Sequence, residues 1–178
     1  MEYLYHRVPK NMVGTVLYPL NVLKVLYPVV YREHVAKYEG RSHLLLAEVP
    51  VLHCLWNDVL HFTAVEPHVL KETLKSAGVA LSNQGWFKVP VSLVEGDDSI
   101  AFIYTREERV MPNALSRAKE YAMFSASQMD TYRHIPDETI EYYKDEVAAG
   151  REPLMFHLVA HILYKGTLET KDLEVVYP

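Results

Sequence analysis

The chain has 178 residues and one cysteine, Cys54, so it cannot close an intramolecular disulfide. Its start, Met1-Glu2-Tyr3-Leu4-Tyr5, lacks the charged and apolar blocks of a secretory signal. Together these absences predict a reducing, cytoplasmic setting. No apolar run approaches the ~18 uninterrupted residues of a membrane span, because Asn, Lys, His or Pro interrupts each one, so no membrane partner is expected. A basic excess is also missing. The net charge of −5 argues against a general nucleic-acid coat, although a local basic cleft is compatible with it. Low-complexity tracts are absent, and the hydrophobic fraction of 49% and charged fraction of 23% are those of an ordered globular chain. One domain over 1–178 should bury about 70% of its unfolded surface, enough for a core without staples.

Thirteen tyrosines stand out against these absences. Each joins a flat apolar face to a hydroxyl, which suits ligand stacking and a half-buried sheet alike.

Tyr3 to Val8 reads as a strand, ended by Pro9-Lys10-Asn11 and Gly14. From Asn21 to Tyr38 apolar residues recur at helical spacing (Val22, Val25, Leu26, Val29, Val30, Val35), with Asn21 as N-cap, Gly40 past the end and Pro28 as a kink or a second start. Leu17-Tyr18-Pro19 returns as Leu26-Tyr27-Pro28, but nothing extends it into a repeat array. Val51 to Leu55 and Val59 to Val65 read as strands joined near Trp56-Asn57-Asp58, and Pro67 opens an amphipathic helix closing at Gly78. Further strands are expected over Trp86 to Val94 and Ile100 to Thr105, separated by the turn Glu95-Gly96-Asp97-Asp98. Helices are expected over Pro112 to Phe124 and over Pro136 to Ala149, the latter with Asp137 and Glu138 at its positive end and Gly150 as its stop. Leu154 to Tyr164, bent near Ala160, and Leu173 to Tyr177 complete the strands. Without regular βαβ alternation, the class is α+β, with a mainly antiparallel, bent or split sheet and several flanking helices.

No glycine-rich phosphate loop, paired-cysteine knuckle or nucleophile elbow occurs. His157-Leu158-Val159-Ala160-His161 has the spacing of a helical zinc pair, but Leu158 stands where the catalytic Glu would be and the segment reads as strand, where both imidazoles would share one face. No metal is predicted. His53, Cys54 and His61 read as structural. His6 and Arg7 sit on the first strand beside Pro9, and Glu152 opens the apolar run Pro153-Leu154-Met155-Phe156.

Leu4-Tyr5-His6-Arg7-Val8, then Asp58-Val59-Leu60-His61-Phe62-Thr63 before a helix, then Arg151-Glu152-Pro153-Leu154-Met155-Phe156, in that order, resemble the ADP-ribosyltransferase fold. The likeness is to its nucleic-acid-modifying branch of DarT-like toxins and to the RNA 2′-phosphotransferases. It implies NAD as co-substrate, with His6 or Arg7 holding the ribose, Phe62 and Thr63 bordering the nicotinamide, and Glu152 as the catalytic carboxylate. The acceptor would be a nucleic acid or a protein. Such a carboxylate would stabilise positive charge developing on the ribose as the glycosidic bond breaks, and could deprotonate the attacking group. Pro153 departs from the pattern, since proline removes a ladder donor. Two other classes fit the same residues: a non-catalytic ligand-binding or interaction domain, and a hydrolase or nuclease built on histidine.

Overall fold

A computed structural model describes residues 1–39, 42–103 and 121–178. Its centre is a seven-stranded sheet in which every pairing is antiparallel, with spatial order β11-β6-β1-β5-β9-β7-β8. The strands are β1 (Tyr3–Arg7), β5 (Leu60–Thr63), β6 (Trp86–Pro90), β7 (Ser99–Phe102), β8 (Tyr121–Met123), β9 (His161–Tyr164) and β11 (Glu174–Val176). Two small ribbons stand apart: β2 (Val16–Leu17) with β10 (Leu168–Glu169), and β3 (Glu48–Val49) with β4 (Cys54–Leu55). The α+β class with an antiparallel sheet is what the sequence pattern predicts.

Residue alternation divides the sheet into two faces. Leu4, Leu60, Phe62, Phe87, Val89 and Ile162 point to one, where Met129, Tyr132 and the β2–β10 leucines close over them in a single apolar cluster. The opposite face carries two clusters. Tyr5 and Trp86 pack under Leu70, Leu74 and Tyr143 in one, and Ile100, Phe102 and Leu163 meet Trp56, Val49 and Tyr38 in the other.

Helix α3 (Pro67–Ser76) forms as the sequence dictates. Pro67 occupies its first turn, Leu70 and Leu74 fall one above the other on the buried face, and Gly78 at φ +83° ends it in a conformation that costs glycine nothing. Burying each leucine stabilises by about 1.5–3 kcal/mol. Helix α5 (Asp137–Ala148) likewise ends at Gly150, φ +69°. A short α4 spans Met129–Tyr132. Among the described residues no helix is long and apolar enough to cross a membrane.

The structure corrects several boundaries. The segment Asn21 to Tyr38 is two helices, α1 (Leu20–Leu26) and α2 (Pro28–Val35), because Pro28 cannot donate to the preceding turn and starts a new helix instead. Asn21 is not the cap: Pro19 is, and the Asn21 amide donates to Asp58 Oδ1 at 2.7 Å. Pro50–Leu52 is a 3₁₀ turn leading into His53 at φ +47°, so His53 and Cys54 do not alternate on one strand. β6 stops at Pro90, and Val91–Leu93 is 3₁₀. The helix expected over 112–124 lies mostly outside the described residues, and its last part, Tyr121–Met123, is an edge strand paired to β7.

The largest correction concerns Leu154 to Tyr164. Only His161–Tyr164 is strand, and 154–160 is a series of turns with Leu158 at φ +57°. Helix α5 supplies the partners that a sheet would otherwise give this backbone. Tyr142 Oη accepts from Leu154 N–H at 2.9 Å, Tyr143 O–H donates to the Met155 carbonyl, and Thr139 O–H donates to the His157 carbonyl at 2.9 Å.

Candidate functional site

Where β1 ends and β5 begins, the sheet opens into a cavity of about 130 Å³. Its lining combines His6 and Leu60 from the sheet with Leu20, Leu23, Val30 and His34 from α1 and α2. Met12 and Leu17 come from the connection between β1 and α1, and Lys37, Tyr38 and Asn57 complete the polar side. The volume is close to that of an engineered cavity, about 150 Å³, that admits benzene. One ring fits its enclosed part.

His6 is the reactive-looking group here. Its Nδ1 lies 2.7 Å from the Arg7 carbonyl, which can only accept, so the neutral ring donates from Nδ1 and leaves Nε2 as a lone-pair acceptor. Burial, partly opposed by that hydrogen bond and assisted by nearby Lys37, pushes its pKa down to about 4. At neutral pH the imidazole is therefore uncharged and a poor base, suited to accepting a hydrogen bond. The Phe62 ring meets it edge to face at 5.5 Å. His34 on α2 is shifted the same way, first by burial and then by Lys37, with Glu33 opposing.

Asn57 is 2% exposed. Its Oδ1 accepts from Tyr38 O–H at 2.9 Å, while its Nδ2 has no partner among the described residues. A buried amide N–H left without an acceptor costs about 1–3 kcal/mol. The cavity thus sets an apolar wall against a polar side, on which His6 Nε2 can accept a hydrogen bond and the Asn57 amide lacks an acceptor among the described residues.

The sequence-predicted site residues divide between the two faces. His6 and Phe62 share the cavity face. Arg7 and Thr63 lie on the other, since Thr63 pairs with Tyr5 and Arg7 is two residues further along the same side. Thr63 is buried, and its Oγ1 accepts from Val65 N–H at 3.1 Å. The Arg7 guanidinium lies 5.2 Å from the Trp86 ring centroid and its Nη2 is 3.8 Å from the Met155 sulfur. Among the described residues, the buried donors Arg7 Nε and Trp86 Nε1 have no partner. Among the described residues Arg7 has no carboxylate partner.

Glu152 is exposed in the turn region after α5 and does not line the cavity. The buried carboxylate nearby is Glu146, gripped by Arg151 at 2.6–3.1 Å.

His157 and His161 do not form a strand pair. His157 sits in the turns and stacks on Tyr142 at 3.9 Å, while His161 opens β9 against the edge of Phe156. Among the described residues no group of three His, Cys, Asp or Glu is placed to hold a metal ion. Burial raises the Cys54 pKa, which favours the protonated thiol.

Sequence reasoning identified His6 but missed Asn57, Tyr38 and His34. Asn57 was read only as a turn former, and no local signal tells a turn amide from one buried at a cavity wall. No protein-family model, curated protein or solved structure matches this chain.

Proposed function

We propose that this domain binds a compact, single-ring ligand in the cavity below α1 and α2, with an N–H or O–H of the ligand donating to His6 Nε2. One observation carries the reading: a neutral imidazole, its acceptor nitrogen without a partner among the described residues, lines a small cavity beside a largely aliphatic wall. The Asn57 amide would donate to a ligand acceptor once a ligand reached it. Such a site orients a ligand with few polar contacts while apolar walls supply affinity.

The test is thermal unfolding against a panel of single-ring heterocycles bearing a ring N–H, phenols and plain hydrocarbons. A bound ligand at 100 times its dissociation constant stabilises by about 2.7 kcal/mol. We expect N–H or O–H ring compounds to stabilise the wild type and Glu152→Ala equally, and His6→Ala much less. No stabilisation of the wild type by any member would remove the reading.

A second reading, cleavage of NAD with ADP-ribose passed to a nucleic acid or protein, is favoured by Arg7. Among the described residues it is a half-buried cation without a counter-charge, on the same face as Thr63, touching Met155 three residues from Glu152. Here Arg7 would meet a phosphate or ribose hydroxyl, Thr63 would border the nicotinamide and Glu152 would be the carboxylate at the reacting carbon. Nicotinamide release from NAD by the wild type and its loss in Glu152→Ala and Arg7→Ala would support it. Equal release from wild type and Glu152→Ala would remove Glu152 from that chemistry.

A further inference from the structure

Charge is distributed unevenly along the chain. Residues 3–32 contain no Asp or Glu but four cations, Arg7, Lys10, Lys24 and Arg32, leaving 14 cations against 23 carboxylates elsewhere. The same stretch holds helices α1 and α2, neither of which buries a single residue. At the turn joining them, Val25 is 78% exposed, Leu26 50% and Val29 60%, and Pro28 is exposed as well. Singly exposed apolar residues are ordinary, but consecutive ones at one helical turn form a patch.

What surrounds this patch indicates its occupant. Lys24 and Arg32 flank it and are exposed, and the Lys24 ammonium lies 6.0 Å from the Tyr31 ring centroid. Tyr27 and Tyr31, interleaved with these residues along the two helices, are half-buried. Glu33, the nearest following carboxylate, is engaged by the Asn11 amide. Exposed apolar side chains, half-buried tyrosines and exposed cations in one short stretch without a carboxylate are complementary to a lipid interface, whose acyl chains, headgroup boundary and anionic headgroups take these three classes of side chain.

We infer that the α1–α2 turn docks this domain onto an anionic lipid surface, inserting Val25, Leu26 and Val29 while Lys24 and Arg32 meet the headgroups. This is attachment to one leaflet, not a crossing, and it does not depend on the ligand read for the cavity. The attraction is electrostatic at its margin and so weakens as salt rises.

The experiment is co-sedimentation of the full chain with phosphatidylcholine vesicles, with and without phosphatidylserine. Binding is expected only to the serine-containing vesicles, and it should fall with added salt. Val25→Asp with Val29→Asp should abolish it. These positions are exposed, so circular dichroism should match the wild type. Lys24→Gln, which leaves the apolar tip intact, should weaken partition about fivefold, the scale of one cation near such a surface. Absence of binding, or binding unchanged in both variants, overturns the inference. So does a wild-type dimer in light scattering that Val25→Asp with Val29→Asp converts to monomer, because the tip would then be a protein interface.

Discussion

The two faces of the central sheet solve the same problem differently. Each carries a basic side chain from the end of β1 into a poorly solvated place. On the cavity face His6 is accommodated by losing its charge: the apolar cluster around Leu4, Phe62 and Phe87 pushes its pKa to about 4. On the opposite face Arg7 cannot discharge, and it lies over the Trp86 ring with the Met155 sulfur beside it. Adjacent residues on one strand therefore present opposite chemistry, a neutral acceptor on one side and a cation on the other. One ligand cannot engage both without reaching around the strand, which is why the cavity reading and the NAD reading call on different residues.

Perturbing the cavity face should have the largest effect. Phe62 is 2% exposed on a central strand and touches His6. Phe62→Ala should cost about 3–5 kcal/mol in chemical denaturation, by lost transfer energy and the void it leaves. A change below about 1 kcal/mol would mean that this cluster repacks freely, contrary to the density expected of a core.

Next comes pH. The folded pKa of His6, about 4, lies below its unfolded value of 6.5. The neutral form is therefore the one folding favours. Its stabilising contribution is fully present above about 6.5, and declines as pH falls from there towards 4 while the unfolded chain takes up a proton that the folded chain refuses. The loss should amount to up to about 3 kcal/mol, each pK unit contributing 1.36 kcal/mol. It should be absent in His6→Gln, so the stability difference between wild type and that variant should change by this amount across the window. Arg7→Gln, which removes a group that stays charged, should leave the slope between pH 6.5 and 4 unchanged, separating the two faces.

A smaller effect is expected where α5 clamps the turns after it. Tyr143→Phe deletes the O–H that serves the Met155 carbonyl and should cost about 1–2 kcal/mol. Local opening of 154–160, read by hydrogen exchange at Val159, should rise in that variant more than exchange in β5.

The sequence pattern made much of this legible, and the failures share a cause. Elements with a local signature were readable: β1 from its aromatic and branched run, α3 from Pro67 and Gly78, α5 from Pro136 and Gly150. Leu154 to Tyr164 misled because its apolar composition fits a strand, while the partners that make it turns, Thr139, Tyr142 and Tyr143, lie 12 to 18 residues away on a helix. The site divides likewise. His6 could be found as a polar residue on an apolar strand, but the face it shares with Phe62 and not with Thr63 follows from the pairing of Tyr5 with Thr63. Pairing register is a long-range property that the two strands do not encode separately.

The account rests on His6 being neutral and held by its Nδ1 proton. The direct measurement is long-range proton–nitrogen NMR of the imidazole across pH 7.5 to 4.5. We predict that His6 keeps the signature of a neutral ring protonated at Nδ1 until the pH approaches about 4. A His6 resonance that titrates near 6.5, or a ring carrying its proton on Nε2, would contradict it.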